Sequence, residues 1–444
     1  MINKEELSEF FAAGYDDLEN PGTAGDTTEV ENVLAKYRRV VSSTMELVRR
    51  EQAEDSTVLW FSRLSEMISQ ARQVARCGQR LSAGLCEELD LELVLASLRS
   101  SEATGEVKFC CGRLVLEVLN TNSTNKNYLV EKGLEDIVSL TSDYTRNNRQ
   151  VDVEKTRLAA ALLENLFDQS EETSGRLMEL GGLHTVVEEC KSEDPETLRH
   201  CASGLANAAI HSDWEMQEVM VREHHVPQWL FTLLFNEDAG IKYFATLAIA
   251  TLATNKHIEA QILETDSFKQ IRPILATLKT TTDFSDDFLF GKSNDWLQRL
   301  LRVLSSEREE CKIMAAFHFA MEAQIRKNEG RAGAVFEEIV GAVDILKTVA
   351  RNPNGVASQY AAQALRTVGE DIPYKLSYQV ATWSPEDVRE WVKQSGFANF
   401  ADTFVDNRVD GDILLQISDE MLREDINMNN GVLRKKFIRK ECQH

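Results

Sequence analysis

The fold of this 444-residue chain is decided by AALLENL at Ala160–Leu166, ASGLANA at Ala202–Ala208 and TLAIATL at Thr246–Leu252. Their central residues Leu163, Leu205 and Ile249 align at intervals of 42 and 44 residues. This period, with small residues inside the longest helix, is typical of stacked helical repeats, because Ala and Gly allow one helix to pack closely against the next. The chain is therefore predicted to be all-α, with its units stacked into a superhelix.

The repeat unit extends beyond these apolar residues, since Asn165 and Asn207 align at the same interval. The best-defined unit, Met178–His211, reads as a short helix, a Gly-Gly entry, a second helix, an Asp-Pro break and a long helix. Weaker copies occur at Cys111–Leu119, Ala315–Ala323 and Ala361–Val368. This order resembles the armadillo repeat, and we predict an armadillo-like domain over residues 32–370.

The charge, hydropathy and cysteine content of the chain disfavour several kinds of function. The chain carries 49 Lys and Arg against 72 Asp and Glu, a net charge of −23, which disfavours nucleic acid as a partner because phosphate backbones require a basic face. No apolar run is long enough to span a membrane, and Met1–Tyr15 lacks the features of a signal peptide. The eight cysteines are scattered without a CxxC pair, so we expect a reduced, cytoplasmic protein.

The two ends of the chain differ from the repeats. Residues 1–31 are acidic and are predicted to be flexible, with a short helix at Glu5–Ala13. Residues 371–381 are predicted to be a linker. A separate module follows over residues 382–444, where Ser384 is a good helix N-cap and Pro385 suits the first helical position.

This module resembles a sterile alpha motif (SAM) domain, a five-helix bundle, across nearly all of its length. The resemblance rests on Trp383 to Val392, Gly396-Phe397, Val409-Asp410-Gly411, Leu414-Leu415 and Gly431 to Ile438. One departure is Asn427-Met428, where the family usually has Gly followed by an apolar residue.

Armadillo repeats followed by a SAM domain resemble the SARM family of sterile alpha and TIR motif proteins. The matching motifs are Ser170 to Thr173, Gly181 to Leu183, Leu198 to Cys201, Ala253 to Lys256, Leu297 to Leu300 and Val409 to Asp412. The resemblance implies a TIR domain that cleaves NAD, SAM domains that self-associate into a ring (commonly an octamer), and an armadillo domain that binds NAD or nicotinamide mononucleotide as an allosteric switch.

The resemblance also implies a division of labour. Because the chain ends at His444 without a TIR segment, we expect no NAD hydrolase activity from it and no catalytic residues on it. The expected role is autoinhibition and oligomerisation in SARM-type signalling, in axon degeneration or innate immunity, with TIR domains or TIR-containing proteins as partners. The alternative is an armadillo–SAM adaptor that binds a peptide in its groove and senses no nucleotide.

The family resemblance suggests where a nucleotide would bind. Trp60 is the candidate for stacking nicotinamide, although a core position on an amphipathic helix is the other interpretation. Lys126 and Lys292 are candidates for phosphate contacts, and solvated surface lysines are the alternative. Asn165 stands where a family histidine is expected and is also the ordinary armadillo residue. Asp168 replaces a lysine and opposes phosphate by charge.

The SAM-like module has charges of opposite sign at two places. Asp406, Asp410 and Asp412 lie in its middle, and Arg434, Lys435 and Lys436 lie in its final helix. Opposite charges at two ends of one domain predict a head-to-tail contact, which closes into rings or extends into fibres. Ordinary solvated charge is the alternative.

No sequence pattern points to metal or nucleophilic chemistry. His224 and His225 are adjacent and point about 100° apart on a helix, so they do not chelate one ion together, and Cys110 and Cys111 share this problem. The chain has no GxGxxG, GxxxxGK[ST] or GxSxG motif.

Overall fold

The structure is a computed structural model with two compact units, Met1–Val303 and Leu304–His444. It describes these residues: 2–15, 27–51, 53–74, 77–121, 124–146, 152–278, 292–328, 336–352, 355–374, 376 and 379–441. Within these ranges the regular secondary structure is helical throughout, as the sequence predicts.

The first unit begins with a helical region that precedes the regular repeats. Its helices are α1 (Lys4–Ala13), α2 (Thr27–Glu51) and α3 (Glu54–Gln73). Four triplets follow, each with two shorter helices and a longer third one. They are α4 (Gly78–Cys86), α5 (Leu91–Arg99) and α6 (Gly105–Leu119); α7 (Thr124–Lys132), α8 (Leu134–Arg146) and α9 (Val153–Phe167); α10 (Glu171–Glu179), α11 (Gly182–Glu189) and α12 (Pro195–His211); and α13 (Trp214–Arg222), α14 (Val226–Leu233) and α15 (Ala239–Leu252). The remaining helices are α16 (Glu259–Glu264), α17 (Ser267–Thr277) and α18 (Asn294–Leu304).

The long third helices form the spine of the first unit. Helix α6 packs on α9, α9 on α12, and α12 on α15. The three sequence segments that define the repeat lie in α9, α12 and α15, and their central apolar residues are fully buried. A short, short, long triplet whose long helices stack in chain order is the armadillo arrangement, so the predicted fold class is confirmed.

Small residues bring these long helices together, as the repeat pattern predicts. A Cβ built on Gly204 of α12 would lie 3.5 Å from the Cα of Glu164 in α9. A Cβ on Gly112 of α6 would lie 3.0 Å from a methyl group of Leu140 and 3.1 Å from one of Leu158. Larger side chains at these positions would force the helices apart.

The N-termini of the long helices are tied to the preceding repeat by a recurring ion pair. Asp194 is the N-cap of α12 and accepts two hydrogen bonds from Arg157 of α9, at 2.6 and 2.8 Å. Asp238 is the N-cap of α15 and accepts two from Arg199 of α12, at 2.7 and 2.9 Å. The hydrogen bonds from Arg157 hold the pKa of Asp194 well below its usual range, despite partial burial. This pair of contacts is called the arginine ladder below.

The predicted N-terminal helix is present as α1, and it packs on the first unit. Leu7 and Phe11 are buried, and the ring of Phe11 lies 5.8 Å from that of Trp60. Lys4 forms an ion pair with Glu51 of α2 at 2.8 Å. Residues 4–13 therefore belong to the packed structure, whereas residues 16–26 of the predicted flexible segment lie outside the described residues.

The second unit contains three further helices followed by a helical bundle. Its helices are α19 (Glu309–Asn328), α20 (Ala342–Ala350), α21 (Val356–Val368), α22 (Pro385–Val392), α23 (Ala401–Asp406), α24 (Gly411–Leu414), α25 (Asp419–Glu424) and α26 (Gly431–Glu441). Helices α19 and α21 pack together and contain the weaker repeat copies. The proposed domain limits near residues 370 and 382 stay predictions.

The five helices α22–α26 enclose one core around Phe404 and Phe437, both fully buried. Ser384 caps α22 in a capping box with Asp387, as the sequence predicts. Asn427 adopts a φ of 57°, the left-handed conformation that glycine favours, and Met428 is fully buried. The departure at Asn427-Met428 therefore meets the same backbone and core requirements as glycine followed by an apolar residue.

Candidate functional site

The predicted phosphate contacts Lys126 and Lys292 come together around Asp168, although the three residues belong to different parts of the chain. Lys126 lies in α7, Asp168 follows the last residue of α9, and Lys292 lies two residues before the start of α18. The Nζ of Lys292 lies 3.3 Å from Oδ2 of Asp168, and its side chain is only 12% exposed. We call Lys126, Asp168, Lys292, Asn207 and Trp296 the lysine cluster.

Asn207 of α12 is the polar centre of this cluster. Its Oδ1 accepts a hydrogen bond from Nε1 of Trp296 at 3.1 Å and another from Nζ of Lys292 at 3.3 Å. Its Nδ2 donates to the backbone carbonyl of Glu164 in α9 at 3.3 Å. Asn207 therefore links two neighbouring long helices to the segment that leads into α18.

Helix α18 is anchored along its length on the earlier repeats. Trp296 is fully buried, and Nζ of Lys292 lies 5.4 Å from the centre of its ring. Arg299 pairs with Glu171 of α10 at 2.6 Å. Arg302 donates to the carbonyls of Ala209, Ile210 and Ser212 at the C-terminal end of α12, at 2.6 to 3.1 Å.

Burial and opposing charges set the protonation of the lysine cluster. Burial lowers the pKa of Lys126, an effect that the charge of Asp168 counters. Burial also raises the pKa of Asp168, against the opposing charges of Lys292 and Lys126. The Oδ1 atom of Asp168 is buried and accepts no hydrogen bond from the described residues. The cluster thus holds two cations around one incompletely satisfied carboxylate.

A second titratable pair lies beside the cluster, between α9 and α12. Nδ1 of His200 lies 2.6 Å from Oε2 of Glu164. Burial opposes charge on both groups, but their hydrogen bond lowers the pKa of Glu164 and raises that of His200. Farther along α12, burial lowers the pKa of His211 to about 4, helped by the charge of Arg299. His211 is therefore neutral near pH 7.

The other two predicted nucleotide contacts lie in different surroundings. Trp60 is 2% exposed and packs against Phe11, which agrees with the core interpretation of its sequence position. Asn165 donates its side-chain amide to the carbonyl of Ala161 in its own helix, at 3.0 Å. Ligand binding by these residues stays a prediction. Sequence reasoning did not select Trp296 or Asn207, which are 89 residues apart and meet only through the path of α18.

The predicted self-association residues of the bundle have distinct roles in the structure. Asp406 and Asp412 are exposed, whereas Asp410 caps α24 by accepting a hydrogen bond from the backbone of Ile413. In α26, Lys435 and Lys436 are exposed.

Arg434 instead bonds within the bundle. It pairs with Asp419 at 2.9 Å and donates to the carbonyls of Met428 and Asn429. Three exposed apolar residues, which the sequence analysis did not select, accompany the charges: Ile413, Leu415 and Val432, at 37%, 47% and 63% exposure.

Among the described residues, His, Cys, Asp and Glu side chains do not gather in groups of three or more suited to a metal ion. No described helix combines the length and hydropathy needed to cross a membrane.

Comparisons with known proteins identify what the chain is similar to. Residues 380–440 match the SAM domain (Sterile alpha motif) family. The chain is 39% identical over 437 residues to the NAD(+) hydrolase sarm1 of Drosophila melanogaster, covering 96% of this chain and 32% of the relative. It is 31% identical over 448 residues to the NAD(+) hydrolase tir-1 of Caenorhabditis elegans, covering 97% and 44%. The resemblance to the SARM family is thereby confirmed, and the chain spans less than half of either relative.

Solved structures add a likeness of shape alone. A designed armadillo repeat protein in complex with the peptide (KR)4 is 18% identical and superposes with a TM-score of 0.37, covering 63% of this chain and all of that one. An overlap this loose carries no argument about function.

Proposed function

We propose that this chain is the regulatory and assembly portion of a SARM-type protein that cleaves NAD. Its armadillo repeats restrain a TIR domain. Its SAM domain brings copies of the protein together, so that the TIR domains of an assembly are restrained or released jointly. The observation that carries this proposal is the similarity over almost the whole chain to two proteins named NAD(+) hydrolases. The biological setting that follows is axon degeneration or innate immune signalling.

The armadillo part of the proposal centres on the lysine cluster as the point where a nucleotide acts. Two cations from α7 and from the start of α18 converge there, next to the junction of α9 and α12. A ligand phosphate bound between them would join three elements that are otherwise far apart in sequence, which is how binding energy biases a conformational equilibrium. The ligand class is nicotinamide mononucleotide or NAD.

Calorimetric titration of the full chain with nicotinamide mononucleotide and with NAD tests this part. We expect a Kd in the micromolar range, about −8 kcal/mol. Lys126→Ala should abolish binding, whereas Lys132→Ala, at an exposed lysine of the same helix, should leave it unchanged. Trp60→Phe, which keeps a core ring, tests whether Trp60 contributes. Absence of binding at millimolar ligand would refute nucleotide sensing by this chain.

The SAM part of the proposal is a head-to-tail contact between copies. The acidic side is Asp406 and Asp412 with the apolar Ile413 and Leu415, and the basic side is Lys435 and Lys436 with Val432. An exposed apolar residue beside each charged set supplies the buried contact area that surface ion pairs alone do not provide. Arg434 and Asp410 are better assigned to holding the bundle together, because each is engaged within it.

Light scattering of the full chain after size-exclusion chromatography tests self-association. Lys435→Glu with Lys436→Glu should disassemble the oligomer, and so should Asp406→Lys with Asp412→Lys. A mixture of the two variants should associate again, since each retains one intact side and the two reversed sides carry opposite charges. If both variants keep the wild-type mass, the contact lies elsewhere.

The alternative, an adaptor that binds a peptide along the repeat asparagines, is less well supported. The Oδ1 of Asn207 is already bonded to Trp296 and Lys292, and the amide of Asn165 bonds within its own helix. Neither side chain presents its amide to a peptide backbone in this arrangement.

A further inference from the structure

Asp168 lies among charged groups from several elements, and its side chain is partly buried, at 31% exposure. Lys126 approaches it from α7, and Lys292 contacts its Oδ2 at 3.3 Å from the segment before α18. Glu164, one turn earlier in α9, is bonded to His200 of α12 and therefore does not neutralise the lysines alone. The charge of Lys292 also acts on His211, which is uncharged near pH 7. Among the described residues, Asp168 is thus the carboxylate in contact with Lys292, and its charge also acts on Lys126.

The bonding of this carboxylate is incomplete. One oxygen contacts Lys292, while the other is buried and receives no hydrogen bond from the described residues. A carboxylate held in this way gains less from its surroundings than one that is fully hydrogen-bonded, such as Asp194 with its contacts to Arg157 and Thr197. A competing anion therefore has less binding to displace here than it would have in the arginine ladder.

We propose that Asp168 is an internal competitor that occupies the place between Lys126 and Lys292 which a phosphate-class anion takes when it binds. The inference rests on the proposed function, since it concerns the same lysines. It adds a control on anion binding by the Asp168 carboxylate, which is called the gate below. An anion binds by displacing or neutralising the Asp168 carboxylate, and this requirement lowers its apparent affinity in proportion to the stability of the internal pair.

The gate responds to pH in a defined direction. Burial favours the protonated form of Asp168, so this group loses its charge at a higher pH than an exposed aspartate does. Protonation removes the repulsion of an anion and frees the lysines, so anion affinity rises as the pH falls. The hydrogen bond with Glu164 raises the pKa of His200 against the effect of burial, and protonation of His200 on acidification acts in the same direction. Replacing Asp168 by the neutral, similarly shaped Asn removes the contribution of Asp168 to this pH dependence and leaves that of His200.

Calorimetric titration of the full chain with sulfate isolates this contribution, because sulfate keeps a charge of −2 across the pH range used. The Asp168→Asn variant keeps the shape of the side chain and removes its charge. We expect it to bind sulfate about 10-fold more tightly than the wild type at pH 7.5, and the difference to shrink at pH 5.5. Glu172→Gln removes the same charge from an exposed site nearby and should change the affinity less than about 2-fold.

Further variants and outcomes keep the inference testable. Adding Lys292→Ala to Asp168→Asn should abolish the gain, and circular dichroism confirms that each variant is folded. Equal sulfate binding by Asp168→Asn and Glu172→Gln would overturn the inference. If the wild type binds nicotinamide mononucleotide but the sulfate result is negative, the proposed function stands and the gate falls. If Asp168→Asn gains sulfate binding but the wild type binds no nucleotide, the gate stands and nucleotide sensing falls.

Discussion

Helices α9 and α12 make contacts of two different kinds at their two ends. Near their N-termini, Arg157 and Arg199 each pair through two hydrogen bonds with the N-cap aspartate of the next long helix. At the C-terminal end of α9, Asp168 meets a lysine 124 residues away through one contact at 3.3 Å.

The two kinds of contact suit different roles, one structural and one responsive to a ligand. The arginine ladder recurs from one repeat to the next, each aspartate also caps a helix, and rigid guanidinium forks suit a fixed structure. The lysine cluster uses flexible cations, and one oxygen of its carboxylate accepts no hydrogen bond from the part of the chain that the structure describes. Contacts that repeat hold the units in register, whereas the irregular contact has the incomplete bonding from which a ligand-responsive site can be made.

The largest expected effect on stability comes from a substitution in the lysine cluster. Trp296→Ala should lower the free energy of unfolding by about 3–5 kcal/mol, because it removes a fully buried ring and its hydrogen bond to Asn207. Trp296→Phe keeps most of the apolar contact and should cost clearly less. Urea denaturation followed by circular dichroism measures both. If Trp296→Ala lowers the free energy of unfolding by less than the removal of a ladder aspartate does, α18 is loosely held and the lysine cluster is not a firm contact.

The next largest effect on stability comes from a substitution in the arginine ladder. Asp194→Ala removes an N-cap and the partner of Arg157, and it should cost about 2 kcal/mol in the same measurement. Glu193→Ala, at the exposed neighbouring acid, should change the stability by less than about 0.5 kcal/mol. Similar values for the two variants would mean that the ladder contributes no more than ordinary surface charge.

The smallest effect is a difference in pH dependence between the two ends. The pKa of Asp194 is lowered in the folded chain, so its stabilisation is complete above the unfolded value of about 3.9 and is lost as the pH falls below it. The pKa of Asp168 is raised, so its ionisation destabilises the folded chain near neutral pH, and the loss is recovered on acidification.

Urea denaturation at pH 7.5, 5.5 and 4 checks this prediction. The stability deficit of Asp194→Asn should persist down to about pH 4 and shrink only below it. Any advantage of Asp168→Asn at pH 7.5, about 1 kcal/mol or less, should shrink as the pH falls. Parallel pH profiles for the two variants would contradict the assignment of different tasks to the two ends.

The repeat sequence was sufficient to predict the fold because each long helix repeats the same small and apolar residues. It also predicted the N-cap at Ser384, since capping depends on neighbouring residues. Lys126 and Lys292 were selected by resemblance, and the structure places both at Asp168.

Long-range contacts account for what the sequence did not predict. The contacts of Trp296 with Asn207 and of Arg434 with Asp419 depend on how distant segments return to a helix, which no local periodicity records. The contact between Trp60 and Phe11 of α1 has the same cause, because Phe11 lies in a segment that the sequence predicted to be flexible apart from a short helix.

The position of Arg302 has a consequence for the order of folding. Helix α12 is capped at its start by its own Asp194, but carbonyls at its end are bonded to a side chain about 90 residues later. During synthesis the start of α12 can form as soon as its own repeat has emerged, whereas these bonds at its last turn wait for α18. The middle of the repeat array is therefore completed late, by a segment translated after it. In a nascent chain cut short before α18, the carbonyl of Ala209 keeps its bond from Gln217, whereas those of Ile210 and Ser212 lack their bonds from Arg302.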